Sequence, residues 1–311
     1  MNSEQTLHIC LVGLHPLKSR DNIMHLVHRI LAFNDGLNIK INIIHDTTDK
    51  ESYLLKQKMD ASPVVNWLEY ESRFLKSGNR FRSRNYASLI MQHEPMEFYV
   101  SQKIPDEDFI LRCRSDYYLT DEFLQMVLSK KFYTKLENNK DQVPIFNRKI
   151  WMPYMGPHFL NFCDYFYVIS VKDQRDVLIT GHEEARRLWF DSFLSKDKRH
   201  FAERIFFIKP LLGFLYEHKM NKVSETYWDL INSNFVCGGD PSKIKTCFFG
   251  WRGSAWCGKG RVGFKTSGAT AQELHQYAKK IQKYSKISPD NIRHCLISKD
   301  KKDGYGSNFK F

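Results

Sequence analysis

Two apolar runs of strand length, Leu7–Leu14 and Ile39–Ile44, bracket a segment whose apolar residues recur at helical spacing, and few architectures accommodate that pattern. Between the runs, Ile23, Leu26, Val27, Ile30 and Leu31 fall three and four residues apart, and Asn34-Asp35-Gly36 punctuates the end. A strand, a helix and a second strand at this spacing form a right-handed βαβ unit, so the central sheet is expected to be largely parallel. Pro105-Asp106-Glu107-Asp108 then forms a turn cluster that launches a third apolar run, Phe109-Ile110-Leu111-Arg112-Cys113-Arg114-Ser115-Asp116. The fold class expected from this alternation is α/β, a mostly parallel Rossmann-like sheet flanked by helices.

The intervening segments supply the remaining elements. Ser62-Pro63 reads as an N-cap and first helical turn, which predicts a helix through about Glu71. A second helix is expected from Arg84 to Gln92, and Thr120-Asp121-Glu122 reads as a cap with an acidic first turn for a helix through about Leu128. Lys130 to Gln142 is polar and expected to loop, with short strands at Val143–Phe146 and Phe162–Ser170. Beyond them the pattern is helical over Asp173–Thr180, Glu183–Phe193, His200–Lys219 with a break at Pro210, and Ser224–Asn232. Thr270-Ala271-Gln272-Glu273 is a capping box for a last helix over 271–285, and the tail to Phe311 shows little periodicity.

Charge is distributed unevenly. The formal net charge is +12, yet residues 1–242 carry 32 basic and 31 acidic groups, whereas residues 243–311 carry 15 and 4. A basic C-terminal segment suits an anionic membrane surface, an acidic acceptor or nucleic acid, and a solvated lysine-rich helix is the plainer alternative. No apolar run approaches the roughly 20 residues of a membrane-spanning helix, and no signal-like region precedes Leu7, so a cytoplasmic protein is expected. The seven cysteines form no Cys-x-x-Cys pair, which reads as reduced thiols. Cys237, Cys247 and Cys257 recur every ten residues, but zinc ligands come in closer pairs, and a metal role for them is not adopted.

Asp116 stands out as a carboxylate delivered by an apolar strand to the edge of the sheet, with Arg112 and Arg114 just before it. Ligands of open α/β sheets bind outside the carboxyl ends of the strands. A carboxylate there can hold a divalent ion, and an arginine two residues earlier can grip a phosphate. An Arg–Asp ion pair closing the strand is the alternative.

Around these residues the chain resembles the WavE-type lipopolysaccharide synthesis glycosyltransferases, a family with a GT-A-like fold. Ile110-Leu111-Arg112-Cys113-Arg114-Ser115-Asp116 is similar to that family's apolar strand ending in Arg-Ser/Thr-Asp. Asn79-Arg80 with Arg84–Ser88 looks like its Arg- and Ser-bearing helix. Asn161-Phe162-Cys163-Asp164-Tyr165-Phe166-Tyr167 resembles its Asp-aromatic-aromatic strand, and His200-Phe201-Ala202-Glu203-Arg204 its Glu-bearing helix. Two departures are present: Val168-Ile169-Ser170 follows where an Asp-aromatic segment would run into a Gly, and Ala-Glu-Arg stands where Pro-Glu-Gln is typical.

The resemblance covers roughly residues 7–236. It implies a GT-A-like domain over 1–236, followed by a basic C-terminal segment over 237–311. The implied activity is transfer of a sugar from a nucleotide-diphosphate donor to a hydroxyl of a saccharide or lipid-linked acceptor, in surface polysaccharide or lipopolysaccharide synthesis. Donor binding falls to Asp116, Arg114 and Arg84, with a divalent cation (Mn or Mg) on Asp116 if one is used. Asp164 and Glu203 are the candidate catalytic bases, and a structural hydrogen bond or cap is the alternative for each. Asp46, just after the second strand, sits where such folds contact the nucleoside, with an ordinary cap alongside Thr47 and Thr48 as the alternative. The basic segment would hold the protein as a peripheral partner of the anionic inner membrane face.

Other readings find less support. Gly253 to Lys259 opens like a phosphate-binding loop, but Gly260 replaces the Ser or Thr that would reach magnesium, and Arg261-Val262-Gly263-Phe264 does not start a helix. Trp251, Arg252, Trp256, Lys259 and Arg261 still combine flat aromatic surface with positive charge. A nucleic-acid-binding protein using that loop and the basic helix is the alternative function. His182-Glu183 lacks the second histidine of a zinc protease.

Overall fold

The computed structural model describes residues 5–13, 15, 20–59, 63–73, 84–115, 117–119, 121–138, 144–152, 166–178, 207, 210, 233–237, 248–250, 255–257 and 260–262. Its centre is a seven-stranded sheet in the order β3-β2-β1-β4-β7-β6-β8. The strands are β1 (Thr6–Val12), β2 (Asn38–Asp46), β3 (Val65–Tyr70), β4 (Phe109–Arg114), β6 (Ile150–Met152), β7 (Tyr167–Ser170) and β8 (Phe235–Cys237). The first four are mutually parallel, β7 runs antiparallel to β4, and β8 runs parallel to β6. The mostly parallel α/β sheet expected from the sequence is therefore present.

Alternation along β1 sorts the helices into two layers. Leu7, Ile9 and Leu11 face one way and join Ile23, Leu26, Val27 and Ile30 of α1 (Arg20–Phe33) in an apolar cluster. Phe123, Leu124 and Val127 of α4 (Asp121–Val127) belong to the same cluster. Each fully buried Ile or Leu there contributes about 2 kcal/mol. Arg29 of α1 fastens this layer from the side, donating to Asp121 Oδ1 at 2.7 Å and to the Leu119 carbonyl at 2.6 Å.

The opposite face of β1 is polar and belongs to α3 (Arg84–Val100). His8 Nε2 bonds Asp108 Oδ2 at 2.9 Å, while its Nδ1 meets the Tyr99 hydroxyl at 2.6 Å. Asn42 Nδ2 donates to that hydroxyl at 2.9 Å. Burial pushes the Tyr99 phenol far above its usual range and lowers His8 below the usual histidine value, the Asp108 contacts opposing this in part. Arg112 is fully buried in the same layer, donating to Gln92 Oε1 at 3.0 Å beside the Tyr167 ring.

Several local expectations are corrected. The segment expected as a helix after Ser62-Pro63 is strand β3, because Val65–Tyr70 pairs in parallel register with Ile41–Asp46. Helix α3 does not stop near Gln92 but runs through Pro95 to Val100, since Met96, Tyr99 and Val100 are buried. Lys130–Thr134 forms the short helix α5 rather than a loop, with Phe132 and Tyr133 buried. The strand expected at Val143–Phe146 begins instead at Ile150 as β6. Ser170 caps α6 (Val171–Val177) by accepting from Asp173 N, slightly ahead of the expected start. The expected helices over Glu183–Phe193, Ser224–Asn232 and 271–285 lie outside the described residues, as does that over His200–Lys219 but for Phe207 and Pro210.

Candidate functional site

Four parallel strands end along one edge of the sheet, at Val12, Asp46, Tyr70 and Arg114. From β1 the chain builds outward to β2 and β3 on one side, then places β4 on the other. The crevice where strand order reverses lies between β1 and β4, the position at which open α/β sheets take their ligands. In the register, Val12 faces Arg114 across this junction.

Gly13, directly after β1, has φ +99°, a conformation that side chains of L-residues rarely adopt. Among the described residues, no atom other than those of its chain neighbours lies within 4 Å of where a Cβ would stand. A short second helix, α2 (Lys50–Lys58), starts nearby and is capped by Asp49, whose side chain accepts from Glu51 N.

His15 occupies the floor of this edge with no solvent exposure. Its Nε2 lies 3.0 Å from the Ile44 carbonyl and its Nδ1 2.8 Å from Ser115 Oγ. A carbonyl only accepts, so Nε2 carries a proton, and Nδ1 pairs with the Ser115 hydroxyl, accepting from it when the ring is neutral. The His15 backbone N–H donates to Ser52 Oγ at 3.2 Å, and that hydroxyl donates in turn to Asp49 Oδ2.

On the β2 and β3 side the edge is acidic. Asp46 is buried, and its Oδ1 accepts from Thr48 N at 2.9 Å and from Ser72 N at 3.5 Å. The Ser72 hydroxyl donates to Glu94 Oε2 on α3 at 2.6 Å. Tyr70 stacks on Phe98 with ring centroids 6.0 Å apart. Burial, then the Asp46, Glu94 and Asp49 carboxylates, push its phenol well above the usual range. Arg114 supplies positive charge on the β4 side and is half-buried.

The site residues expected from the sequence are distributed as follows. Asp46 and Arg114 both stand at strand ends on this edge, and Asp46 closes a turn with Thr48 while Asp49 caps α2. Arg84 is the first residue of α3. Asp116, Asp164 and Glu203 lie outside the described residues, so their positions relative to this edge stay expectations. Among the described residues no three His, Cys, Asp or Glu side chains gather as a metal-binding group. Sequence reasoning missed His15, Ser52, Ser72 and Ser115. A histidine two residues after the glycine that follows β1 was the available signal.

No protein-family model matches this chain, and no curated protein matches it. Among solved structures, the chain is similar to the galactosyltransferase LgtC in complex with donor and acceptor sugar analogs, at 10% identity and a TM-score of 0.43, covering 92% of this chain and 98% of that one. An active-site mutant of LgtC gives 10% identity and a TM-score of 0.41 over the same shares.

Among the described residues, the C-terminal segment meets the main body at two places. β8 includes Cys237, so the boundary expected at 236/237 runs inside a strand of the central sheet. β9 (Phe248–Gly250) pairs antiparallel with β5 (Tyr117–Leu119), which follows Ser115 by two residues. The stretch that resembled a phosphate-binding loop is a hairpin, β10 (Ala255–Cys257) with β11 (Gly260–Val262), so no helix begins at Gly260. Among the described residues no helix is long and apolar enough to cross a membrane. Cys10 and Cys113 are free and buried, and burial pushes the Cys113 thiol up to about 12.

Proposed function

We propose that this chain is a glycosyltransferase that binds a nucleotide-diphosphate sugar at the carboxyl edge of β1, β2 and β4. It would pass the sugar to a hydroxyl of a saccharide or lipid-linked acceptor in surface polysaccharide or lipopolysaccharide synthesis. The observation that carries the reading is the reversal point itself. There Gly13, with its positive φ, follows β1, with Asp46 ending β2 on one side and Arg114 ending β4 on the other. The motif resemblance to WavE-type enzymes supports the same reading.

In this scheme Asp46 accepts a nucleoside hydroxyl, since both of its described bonds end on Oδ1 and a carboxylate has about four lone-pair sites. Arg114 and Arg84 face the diphosphate, where planar guanidinium groups match paired oxygens. A divalent cation, held by Asp116, would neutralise charge on the departing diphosphate. Asp164 or Glu203 takes the proton of the acceptor hydroxyl as its oxygen bonds to the anomeric carbon. The bond from that carbon to the phosphate oxygen breaks, and the nucleoside diphosphate leaves with the electron pair. The basic C-terminal segment would hold the enzyme against an anionic membrane face, near lipid-linked acceptors.

A thermal-shift screen of nucleotide sugars, with and without manganese, tests donor binding, because a ligand of the folded state raises its apparent stability by mass action. The donor so found should be turned over by the wild type and not by Asp116→Asn, with the folded state of the variant intact. Equal turnover by the variant would remove Asp116 from the donor site.

A further inference from the structure

We propose that His15 is a positioning residue for the donor site, locking the carboxyl ends of β1, β2 and β4 into one rigid edge. The inference rests on the reading of that edge as the nucleotide-sugar site. His15 touches three otherwise separate stretches of chain: Ile44 of β2, Ser115 at the end of β4, and Ser52 in the first turn of α2. The partners lie 29, 100 and 37 residues away in sequence, so these bonds join segments that only the fold brings together.

The bonds are specific in their polarity. The last β1–β2 register pair is Leu11 with Ile43, and the imidazole takes the carbonyl one residue further along β2. It extends the strand pairing where the β1 backbone turns away at Gly13. The same ring then holds the Ser115 hydroxyl, which fixes the β4 end against that turn. The full burial of His15 denies it contact with a ligand, so it acts through the segments it ties. Those segments carry Gly13, Asp46 and Arg114, and a site loosened by about an ångström loses its match to a transition state.

The test uses the full chain and the nucleotide sugar identified by thermal shift. Ser115→Ala deletes one hydroxyl oxygen, and His15→Gln keeps an amide donor for Ile44 while withdrawing the ring nitrogen from Ser115. Each should weaken donor affinity by calorimetry about tenfold, the scale of one buried hydrogen bond. Tyr99→Phe is the control. It removes a hydroxyl that bonds His8 and Asn42 toward the other end of the sheet, and should lower the melting temperature at unchanged donor affinity.

Donor affinities of Ser115→Ala and His15→Gln equal to wild type would overturn the inference and leave the donor-site reading standing. A loss of affinity in Tyr99→Phe as large as theirs would also overturn it, since general loosening would then suffice. If the wild type itself binds no nucleotide sugar, the donor-site reading fails and takes this inference with it. Should His15→Gln not fold, Ser115→Ala decides alone.

Discussion

Asp173, at the start of α6, offers the sharpest test of how the sheet is held together away from the candidate site. Its carboxylate is fully buried and accepts four bonds. Oδ1 takes Asn147 N at 2.7 Å and Asn147 Nδ2 at 3.0 Å, while Oδ2 takes Arg148 N at 2.9 Å and the Ser170 hydroxyl at 2.6 Å. Hydrogen bonds to a charged acceptor contribute about 1.5 kcal/mol each, so Asp173→Ala forfeits up to about 6 kcal/mol before any relaxation. The side-chain amide and the hydroxyl it orphans can turn toward other partners, whereas two backbone N–H groups cannot, and about 3 kcal/mol is a working floor. Asp173→Asn keeps one oxygen with two of the bonds. Its amide can also donate to the Ser170 hydroxyl, leaving Arg148 N as the chief loss at about 1.5 kcal/mol. Urea unfolding followed by tryptophan fluorescence should therefore rank wild type, Asn and Ala in that order, with Ala at least twice as costly as Asn. An Ala variant within about 1 kcal/mol of wild type would refute the claim that this carboxylate anchors the 147–148 segment to β7 and α6.

Other outcomes follow from the same geometry. His8 and His45 are both buried, and burial lowers both below the usual histidine value of about 6.5. Their unfolded forms therefore take up protons first as the pH falls, so the stability they confer is complete above about 6.5 and is lost from there down toward their lowered folded values. Melting temperature should fall between about pH 6.5 and 5 less steeply in His45→Gln than in wild type, and parallel slopes would exclude the effect. Gly13→Ala meets no atom of the described residues beyond its chain neighbours, so its cost is that of the backbone conformation, about 1 kcal/mol in chemical unfolding, together with weaker donor binding if the new methyl narrows the proposed site.

The sequence showed the parts of the fold whose signal is local. β1, α1, β2 and β4 are apolar runs or stripes, and pairing merely assembles them. β3 was misread because Ser62-Pro63 imitates a helix start and because an edge strand shows no continuous apolar run: of its residues only Val65 is buried. What makes it a strand is the pairing offered by β2, which no window around residue 65 contains. The candidate site divides the same way. Asp46 and Arg114 are legible as charged residues ending apolar strands, whereas His15 gains its meaning from partners 29 to 100 residues distant, which spacing rules do not reach.

The two ends of the sheet differ in how fully their buried carboxylates are used. At the amino end of β1 and β4, Asp108 accepts from Thr6 N through Oδ1 and meets His8 through Oδ2, and Asp173 accepts four donors through both oxygens. At the carboxyl end, the bonds to Asp46 among the described residues both arrive on Oδ1. Buried acceptors tend to be satisfied by something, protein or otherwise. Asp46 stands at the end of the strand next to the reversal point, and Oδ2 is the oxygen that a hydroxyl-bearing ligand there would meet. Asp46→Asn separates the two roles. It keeps an oxygen for Thr48 N and so should leave the fold within about 1 kcal/mol of wild type, while presenting an amide instead of an acceptor to the ligand. Donor affinity reduced without loss of stability fits the proposed division of the sheet into a sealed end and a receiving end, and loss of both together would contradict it.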